Sequence, residues 1–181
     1  MLFGTEIFEI EILKFIQSNL GCEFMDFLMP KISTLGNGGF IWILCAAILV
    51  CTKKYRRCGI TMLAGMLAGL LVGNLLLKNI IARPRPCWIE STYPLLIENP
   101  TDFSHPSGHT LSSFIAAFIL NKTDKRFGYA AIPLACLIAF SRMYLFVHFP
   151  TDILAGVVLA YVIYRLLMFC PSSNASGHPS L

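Results

Sequence analysis

The chain has 181 residues, of which 56% are hydrophobic and 13% charged, and its mean hydropathy is +0.68. Soluble domains carry about 25% charged residues, so this composition excludes an ordinary soluble protein and indicates an α-helical membrane protein. The net charge of +4 comes from short loops and isolated motifs, without the basic face of a nucleic-acid-binding module. The seven cysteines lack metal-site spacing and mostly lie in apolar runs, so we interpret them as packing residues.

The first 36 residues predict two short amphipathic helices. Residues 5–20 alternate acidic and apolar side chains, as in Glu6, Ile7, Phe8 and Glu9. This helix is too charged for a clear span, so we expect it in the membrane interface or as a sixth transmembrane helix. Residues 23–35 predict a second helix, which the sequence Gly36-Asn37-Gly38-Gly39 ends.

Five apolar segments follow and predict transmembrane helices at about residues 38–52, 58–82, 108–121, 127–147 and 150–169. The predicted fold class is therefore all-α, a polytopic membrane helix bundle. We divide the chain into N-terminal amphipathic helices (1–36), a membrane-embedded core (37–170) and a disordered tail (171–181), which is rich in Ser, Gly and Pro.

The second span and the loop after it carry two local signals. Gly65, Gly69 and Gly73 recur at four-residue spacing, which lets a neighbouring helix approach closely. Pro84 and Pro86 must end this helix, because neither proline donates a backbone hydrogen bond.

The distribution of Lys and Arg predicts the topology. The basic loops at 53–57 and 122–126 fall on the same side when the spans are counted, and the positive-inside rule assigns that side to the cytoplasm. The short chain and these loops suggest a bacterial plasma membrane. The remaining loops then face the extracytoplasmic side.

Three polar clusters break the charge rule at that second face. They are Lys78 with Arg85-Pro86, then Pro106-Ser107-Gly108-His109, and then Ser141-Arg142 with His148 and Asp152. An Arg near the bilayer core costs about 2.5–3.5 kcal/mol on insertion scales, so such a charge is a functional candidate. The cations indicate an anionic partner.

His148 and Asp152 are four residues apart, on either side of Pro150. If Pro150 opens a helix, Asp152 can accept a proton from the imidazole, which leaves the other ring nitrogen free as base or nucleophile. The alternative is a structural His–Asp pair at a helix end.

Taken together, the three clusters resemble the signature of the type 2 phosphatidic acid phosphatase superfamily. That signature is K-x6-RP, then PSGH, then SR-x5-H-x3-D, and all three parts occur here in order and at full spacing. The resemblance covers about residues 58–170. His105 is a small departure, because an aromatic residue such as Phe is expected before Pro106. We expect His105 to line the entrance, and the alternative is a direct chemical role.

The resemblance implies a role for each motif residue. Lys78, Arg85 and Arg142 supply cations to a phosphoryl group, and Ser107 and Gly108 complete its cradle at a helix N-terminus. The family pattern makes His148, oriented by Asp152, the nucleophile that forms a phosphohistidine, and His109 the acid that protonates the leaving oxygen. It implies no cofactor and no metal, because fixed cations replace a metal's charge.

The resulting prediction is an integral membrane phosphatase acting on a lipid phosphate or pyrophosphate. Undecaprenyl pyrophosphate, phosphatidylglycerol phosphate and phosphatidic acid all remain open as substrates. The alternative is a membrane scaffold or transporter that keeps the fold without chemistry, although such a protein should have lost His109, His148 or Asp152. Arg83 lies outside the signature; it is expected either to touch a second phosphate or head group, or to snorkel to the interface.

Overall fold

The structure is a computed structural model that describes residues 4–169, so the predicted disordered tail at 171–181 lies outside the described residues. Helices α1 to α3 are Glu6–Leu20, Glu23–Leu35 and Phe40–Cys51. Helix α4 begins as Arg56–Gly69, continues through a π-helical stretch at Leu70–Leu77 and ends with Lys78–Ile81. Helices α5 to α8 are Pro86–Ile89, Gly108–Thr123, Lys125–Tyr144 and Pro150–Phe169. Residues 4–169 contain no strand, which confirms the all-α class.

Three helices are long and apolar enough to cross a membrane: α7, α8 and the helical stretch Arg56–Ile89. Helices α2 and α3 together make a fourth candidate, bent by 47° at the intervening turn. Gly38 and Gly39 produce this bend, because their φ angles of +58° and +72° suit glycine. Helix α6 has 16 residues, about 24 Å of helix, and falls short of a bilayer core of about 30 Å. The structure therefore confirms a helical membrane protein with three or four candidate spans among the described residues, and it leaves the count of five as a prediction.

Helix α6 lies at the centre of the bundle, where it packs against α4, α7 and α8. The three glycines of α4 face it: a Cβ atom at Gly65 would lie 2.7 Å from Ile115, and one at Gly69 would lie 2.8 Å from the same side chain. A Cβ atom at Gly73 would collide with Leu111. The predicted close approach at the glycines is thus confirmed.

The chain direction brings one end of every long helix to the same face. Helices α4 and α7 end there, whereas α6 and α8 begin there. Ala82, with a φ of +48°, ends α4 just before Pro84, as the prolines predicted. The loop from Ala82 to Ser107 then covers this face, while the basic loops lie at the opposite end of α4, α6 and α7. The N-terminus of α1 also reaches the motif face, where Glu9 bonds to Thr151 at the start of α8.

Candidate active site

The three motifs converge on one cavity of about 930 Å³ at this face. Its polar wall contains Lys78, Arg85, Gly108, His109, Arg142 and His148. These residues come from α4, the loop before α5, α6, α7 and the connection between α7 and α8. A concave site with clustered cations and two histidines is suited to bind an anion and transfer protons to it.

His148 is 1% exposed, and its two ring nitrogens face different partners. Nε2 lies 3.2 Å from Nη1 of Arg85, and because arginine only donates, Nε2 carries the lone pair. Nδ1 is therefore the protonated nitrogen. Burial and the nearby Arg85 charge lower the pKa of His148 below its ordinary value of about 6.5, so the free imidazole is neutral.

The hydroxyl of Ser104 links Nδ1 of His148 to the carboxylate of Asp152. It lies 3.3 Å from Ser104 Oγ and 3.5 Å from Asp152 Oδ2, whereas Ser104 donates to that same carboxylate oxygen at 2.5 Å. Pro150 does open α8, as predicted, and places Asp152 in its first turn. Ser104 was missed by the sequence-based prediction, although it lies two residues before the PSGH motif.

Asp152 is fully buried, and both its oxygens are occupied. Oδ1 accepts hydrogen bonds from Arg83 at 2.7 Å and from Nδ1 of His105 at 3.0 Å. Oδ2 accepts from Ser104 and, at 2.9 Å, from the backbone N–H of Phe149. Charge-assisted bonds of this kind fix the orientation of a carboxylate.

Two predictions need correction here. Arg83 neither reaches the phosphate cluster nor snorkels: it is 0% exposed and faces Asp152 from behind, because buried carboxylates compensate its charge there. His105 was expected to line the entrance, but it bonds to Asp152 inside the network.

The cation cluster is held from two sides. Arg142 donates to Ser33 of α2, and its buried Nε has no hydrogen-bond partner among residues 4–169. A buried donor of this kind fits an anion as partner. Lys78 and Arg85 both bind the carboxylate of Asp102, Arg85 Nη2 at 2.6 Å.

Asp102 was not predicted as a site residue, since a single acidic residue in a loop carries no signal. Partial burial raises its pKa, but Lys78 and Arg85 lower it more, so the pKa lies well below its ordinary range. The carboxylate is thus charged at any working pH, and it contacts two of the cations predicted to bind phosphate.

At the start of α6 the motif residues differ in what they face. Ser107 is fully buried, caps the helix by accepting from the hydroxyl of Thr110 at 3.0 Å, and does not line the cavity. Gly108 lines the cavity, and a Cβ atom there would lie 2.7 Å from the side chain of Asn74. The absence of a side chain at Gly108 therefore also has a packing cause.

His109 is oriented by the turn between α2 and α3. Its Nε2 donates to Asn37 Oδ1 at 2.8 Å, and a Cβ atom at Gly36 would lie 2.8 Å from the imidazole. The sequence marked this Gly-rich stretch only as a chain break, because nothing local links it to a histidine 72 residues away.

Comparisons with known proteins identify a family and several similar proteins. The model of the PAP2 superfamily matches residues 58–175. Undecaprenyl-diphosphatase of Sulfolobus acidocaldarius is 34% identical over 154 residues, covering 84% of this chain and 73% of that protein. Phosphatidylglycerophosphatase B of Bacillus subtilis is 33% identical over 155 residues, covering 78% of this chain and 66% of that protein.

The fold also has a solved relative. The crystal structure of the transmembrane PAP2-type phosphatidylglycerolphosphate phosphatase from Bacillus subtilis superposes with a TM-score of 0.74 at 26% identity. It covers 92% of this chain and 85% of that one. With the family model matching well over half of its length and the lipid phosphatases similar along most of it, this chain belongs to the PAP2 superfamily, as a membrane lipid phosphatase.

Proposed function

We propose that the protein hydrolyses a lipid phosphate or lipid pyrophosphate through a phosphohistidine intermediate on His148. The observation that carries this proposal is the direction of the imidazole. Its unprotonated Nε2 faces the cation-lined cavity, whereas its N–H faces Ser104 and Asp152. A nucleophile of this type needs an unprotonated nitrogen on the substrate side and a carboxylate behind it.

In the first step, the phosphoryl oxygens bind Lys78, Arg85 and Arg142, together with the first-turn amides of α6. Nε2 of His148 attacks phosphorus, an N–P bond forms, and the bond from phosphorus to the leaving oxygen breaks. The positive charge that develops on the imidazole is stabilised by Asp152. His109 gives its proton to the leaving oxygen.

In the second step, water attacks the phosphohistidine. His109, now neutral, accepts a proton from that water, the N–P bond breaks, and inorganic phosphate is released. His148 returns to its neutral form with the proton still on Nδ1. Protonated again, His109 is ready for the next substrate.

The shape of the cavity suits an amphiphilic substrate. Ile43, Leu63, Leu67 and Leu70 line the part away from the cations, and they are 45%, 38%, 57% and 46% exposed. They belong to α3 and to α4 with its π-helical continuation, whose outer faces are apolar. When the phosphate head group of a lipid binds among the cations, its hydrocarbon chain would therefore lie along this apolar wall, in contact with the membrane.

Three substrates remain candidates: undecaprenyl pyrophosphate, phosphatidylglycerol phosphate and phosphatidic acid. The names of the two relatives support the first two. Phosphate release by the purified protein should be measured with each lipid in detergent, with His148→Ala as the control. No release from any of the three would contradict the proposed activity, and equal release by the His148→Ala protein would contradict the nucleophile.

We further propose five spans in a bacterial plasma membrane, with the site facing the extracytoplasmic side. Helix α6 and the bent α2–α3 pair would complete the five, and the basic loops at the opposite end support this orientation. In a background without native cysteines, Ser91→Cys should be labelled by an impermeant reagent in intact cells, and Lys53→Cys only after lysis. The reverse labelling pattern would place the chemistry at the cytoplasmic leaflet.

A further inference from the structure

A buried ion-pair network joins the N-terminal helix α1 to Asp152. Glu9 of α1 is 3% exposed, and its Oε1 accepts a hydrogen bond from Nη2 of Arg83 at 2.8 Å. Nη1 of the same guanidinium donates to Asp152 Oδ1 at 2.7 Å. One arginine thus connects α1 with the carboxylate behind His148, although α1 lies outside residues 58–175, which match the family model.

Arg83 determines which oxygen of Asp152 faces His148. Arg83 donates to Oδ1 of Asp152. The other carboxylate oxygen, Oδ2, therefore faces Ser104 and Nδ1 of His148. The guanidinium is itself held in place, because it stacks 4.0 Å from the ring of Phe149. It lies on the far side of Asp152 from the cavity and does not line it.

Glu9 has two functions in this network. It offsets the buried charge of Arg83, which is costly to bury without a carboxylate partner. Its Oε2 also accepts from the backbone N–H of Thr151 at 3.0 Å and from the Thr151 hydroxyl at 2.6 Å, and so caps the first turn of α8. That turn carries Asp152.

The local environment keeps Glu9 charged. Burial raises its pKa, but hydrogen bonds from Thr151, Thr5 and Arg83 lower it more, with a net decrease. Glu6 is also buried, with Oε1 4.0 Å from Nε of Arg83. Glu6 and Glu9 therefore both point into the protein and towards one arginine, which an interfacial helix would not require.

We propose that Glu9 and Arg83 are positioning residues that hold Asp152 in the orientation His148 needs, so that α1 is part of the catalytic apparatus. This inference rests on the proposed function, since it assigns the attack to His148. Neither residue touches the substrate. Both act through Asp152: Arg83 by a direct bond, and Glu9 by holding Arg83 and the first turn of α8.

The test compares Glu9→Gln and Arg83→Lys with Glu11→Gln in the full-length protein. Glu9→Gln removes a charge but keeps a hydrogen-bond acceptor, and Arg83→Lys keeps the charge but cannot bridge two carboxylates. Glu11 is the matched control, because it lies on the same helix with 66% of its side chain exposed. Phosphoenzyme formation is followed in a single turnover with an alkaline quench, since phosphohistidine is acid-labile.

The first two variants should lower the rate constant of phosphoenzyme formation by about 10- to 100-fold, the loss that is typical when the partner orienting a metal-binding histidine is removed. The KM and the inhibition constant of inorganic phosphate should stay unchanged, because Lys78, Arg85 and Arg142 are untouched. A purely structural role would instead reduce the burst amplitude at an unchanged rate constant. Glu11→Gln should match the wild type in every parameter.

The double variant Glu9→Gln/Arg83→Lys tests whether the two residues act as a unit. In that case it should lose no more than the worse single variant, because the effects of coupled residues are not additive. Losses that multiply would show that they act independently and would contradict the proposed chain from Glu9 through Arg83.

A second measurement does not depend on turnover. ¹⁵N-histidine NMR, with His148 assigned through His148→Gln, should show the same Nδ1–H proton resonance in the wild type and in Glu11→Gln. Glu9→Gln and Arg83→Lys should shift this resonance, because the contact of Nδ1–H with Ser104 and Asp152 changes while Arg85 still keeps the proton off Nε2. An unchanged Nδ1–H resonance in both variants overturns the proposal whatever the rates are, and so do rate constants within about 2-fold of wild type.

Failure of the proposed function has a different signature. It would appear in the wild type itself, as no phosphoenzyme from any of the three lipids. The NMR measurement would then decide alone whether Glu9 and Arg83 position Asp152.

Discussion

The carboxylate of Asp102 forms ion pairs with two of the cations that the proposed substrate must bind. Removing its negative charge should therefore tighten anion binding. Its carboxylate bonds to Lys78 and Arg85, so an incoming phosphate must displace it from both. The apparent affinity is reduced by the fraction of time that the carboxylate stays bound. Asp102→Asn removes the charge, while Arg85 Nε keeps its 2.7 Å bond to the residue's backbone oxygen.

The size of the effect follows from the exposure of this carboxylate. Charge-assisted hydrogen bonds contribute about 1.5–3 kcal/mol when buried. The Asp102 side chain is 57% exposed, so solvent screening reduces each ion pair to about 0.2–1 kcal/mol. Two pairs then amount to about 0.4–2 kcal/mol, which corresponds to an inhibition constant lower by about 2- to 30-fold.

The assay measures the inhibition constants of inorganic phosphate and vanadate in wild type, Asp102→Asn and Glu98→Gln. Glu98 lies in the same loop and makes no ion pair among the described residues, so Glu98→Gln corrects for the general effect of losing one negative charge. An inhibition constant that is unchanged relative to this control, or higher, would refute the reasoning. Asp102 would then support the positions of Lys78 and Arg85 instead of competing with the phosphate.

Three further outcomes are expected. Vanadate should inhibit, since it can adopt five-coordinate geometry between His148 and His109, and EDTA should not; activity abolished by EDTA and restored by a divalent ion would contradict the metal-free mechanism. His109→Ala should lose most of about 10²–10⁴-fold in phosphoenzyme formation from a phosphatidate, but much less from nitrophenyl phosphate, whose leaving group hardly needs a proton. Equal losses on both would leave His109 as a phosphate-binding residue. The depressed pKa of Glu9 means that its ionisation stabilises the fold above its unfolded value of about 4.3. This stabilisation is lost as pH falls through the lower folded pKa, so the melting-temperature gap between wild type and Glu9→Gln should shrink from pH 5 to pH 3.

The class of the protein and its motifs can be read from the residues alone. The low charge content indicated a membrane protein. The apolar run at 150–169 predicted a span with the same bounds as the observed helix, Pro150–Phe169. Pro84 and Pro86 set the end of α4, and the glycine spacing predicted its contact with α6. These signals are local, because they depend on residues within a few turns of one another.

The predicted helix bounds differ from the observed ones where tertiary contacts set the end of a helix. The helix predicted at 127–147 ends at Tyr144, because the chain then turns at Phe146, which has a φ of +59°. This turn brings Nε2 of His148 to 3.2 Å from Arg85. The predicted span at 38–52 is a helix of 12 residues joined to α2 by a bend. Hydropathy cannot distinguish such a bent pair from a straight span.

The residues that surround the motifs become known only from the packing of the helices. Arg83 pairs with Glu9 across 74 residues, and His109 donates to Asn37 across 72. Whether a buried charge has an oppositely charged partner depends on which faces of the helices are in contact. The spacing of residues along the chain does not predict these contacts. The motifs therefore identified the chemistry, whereas the packing of α1 and of the α2–α3 turn against them determined how that chemistry is held in place.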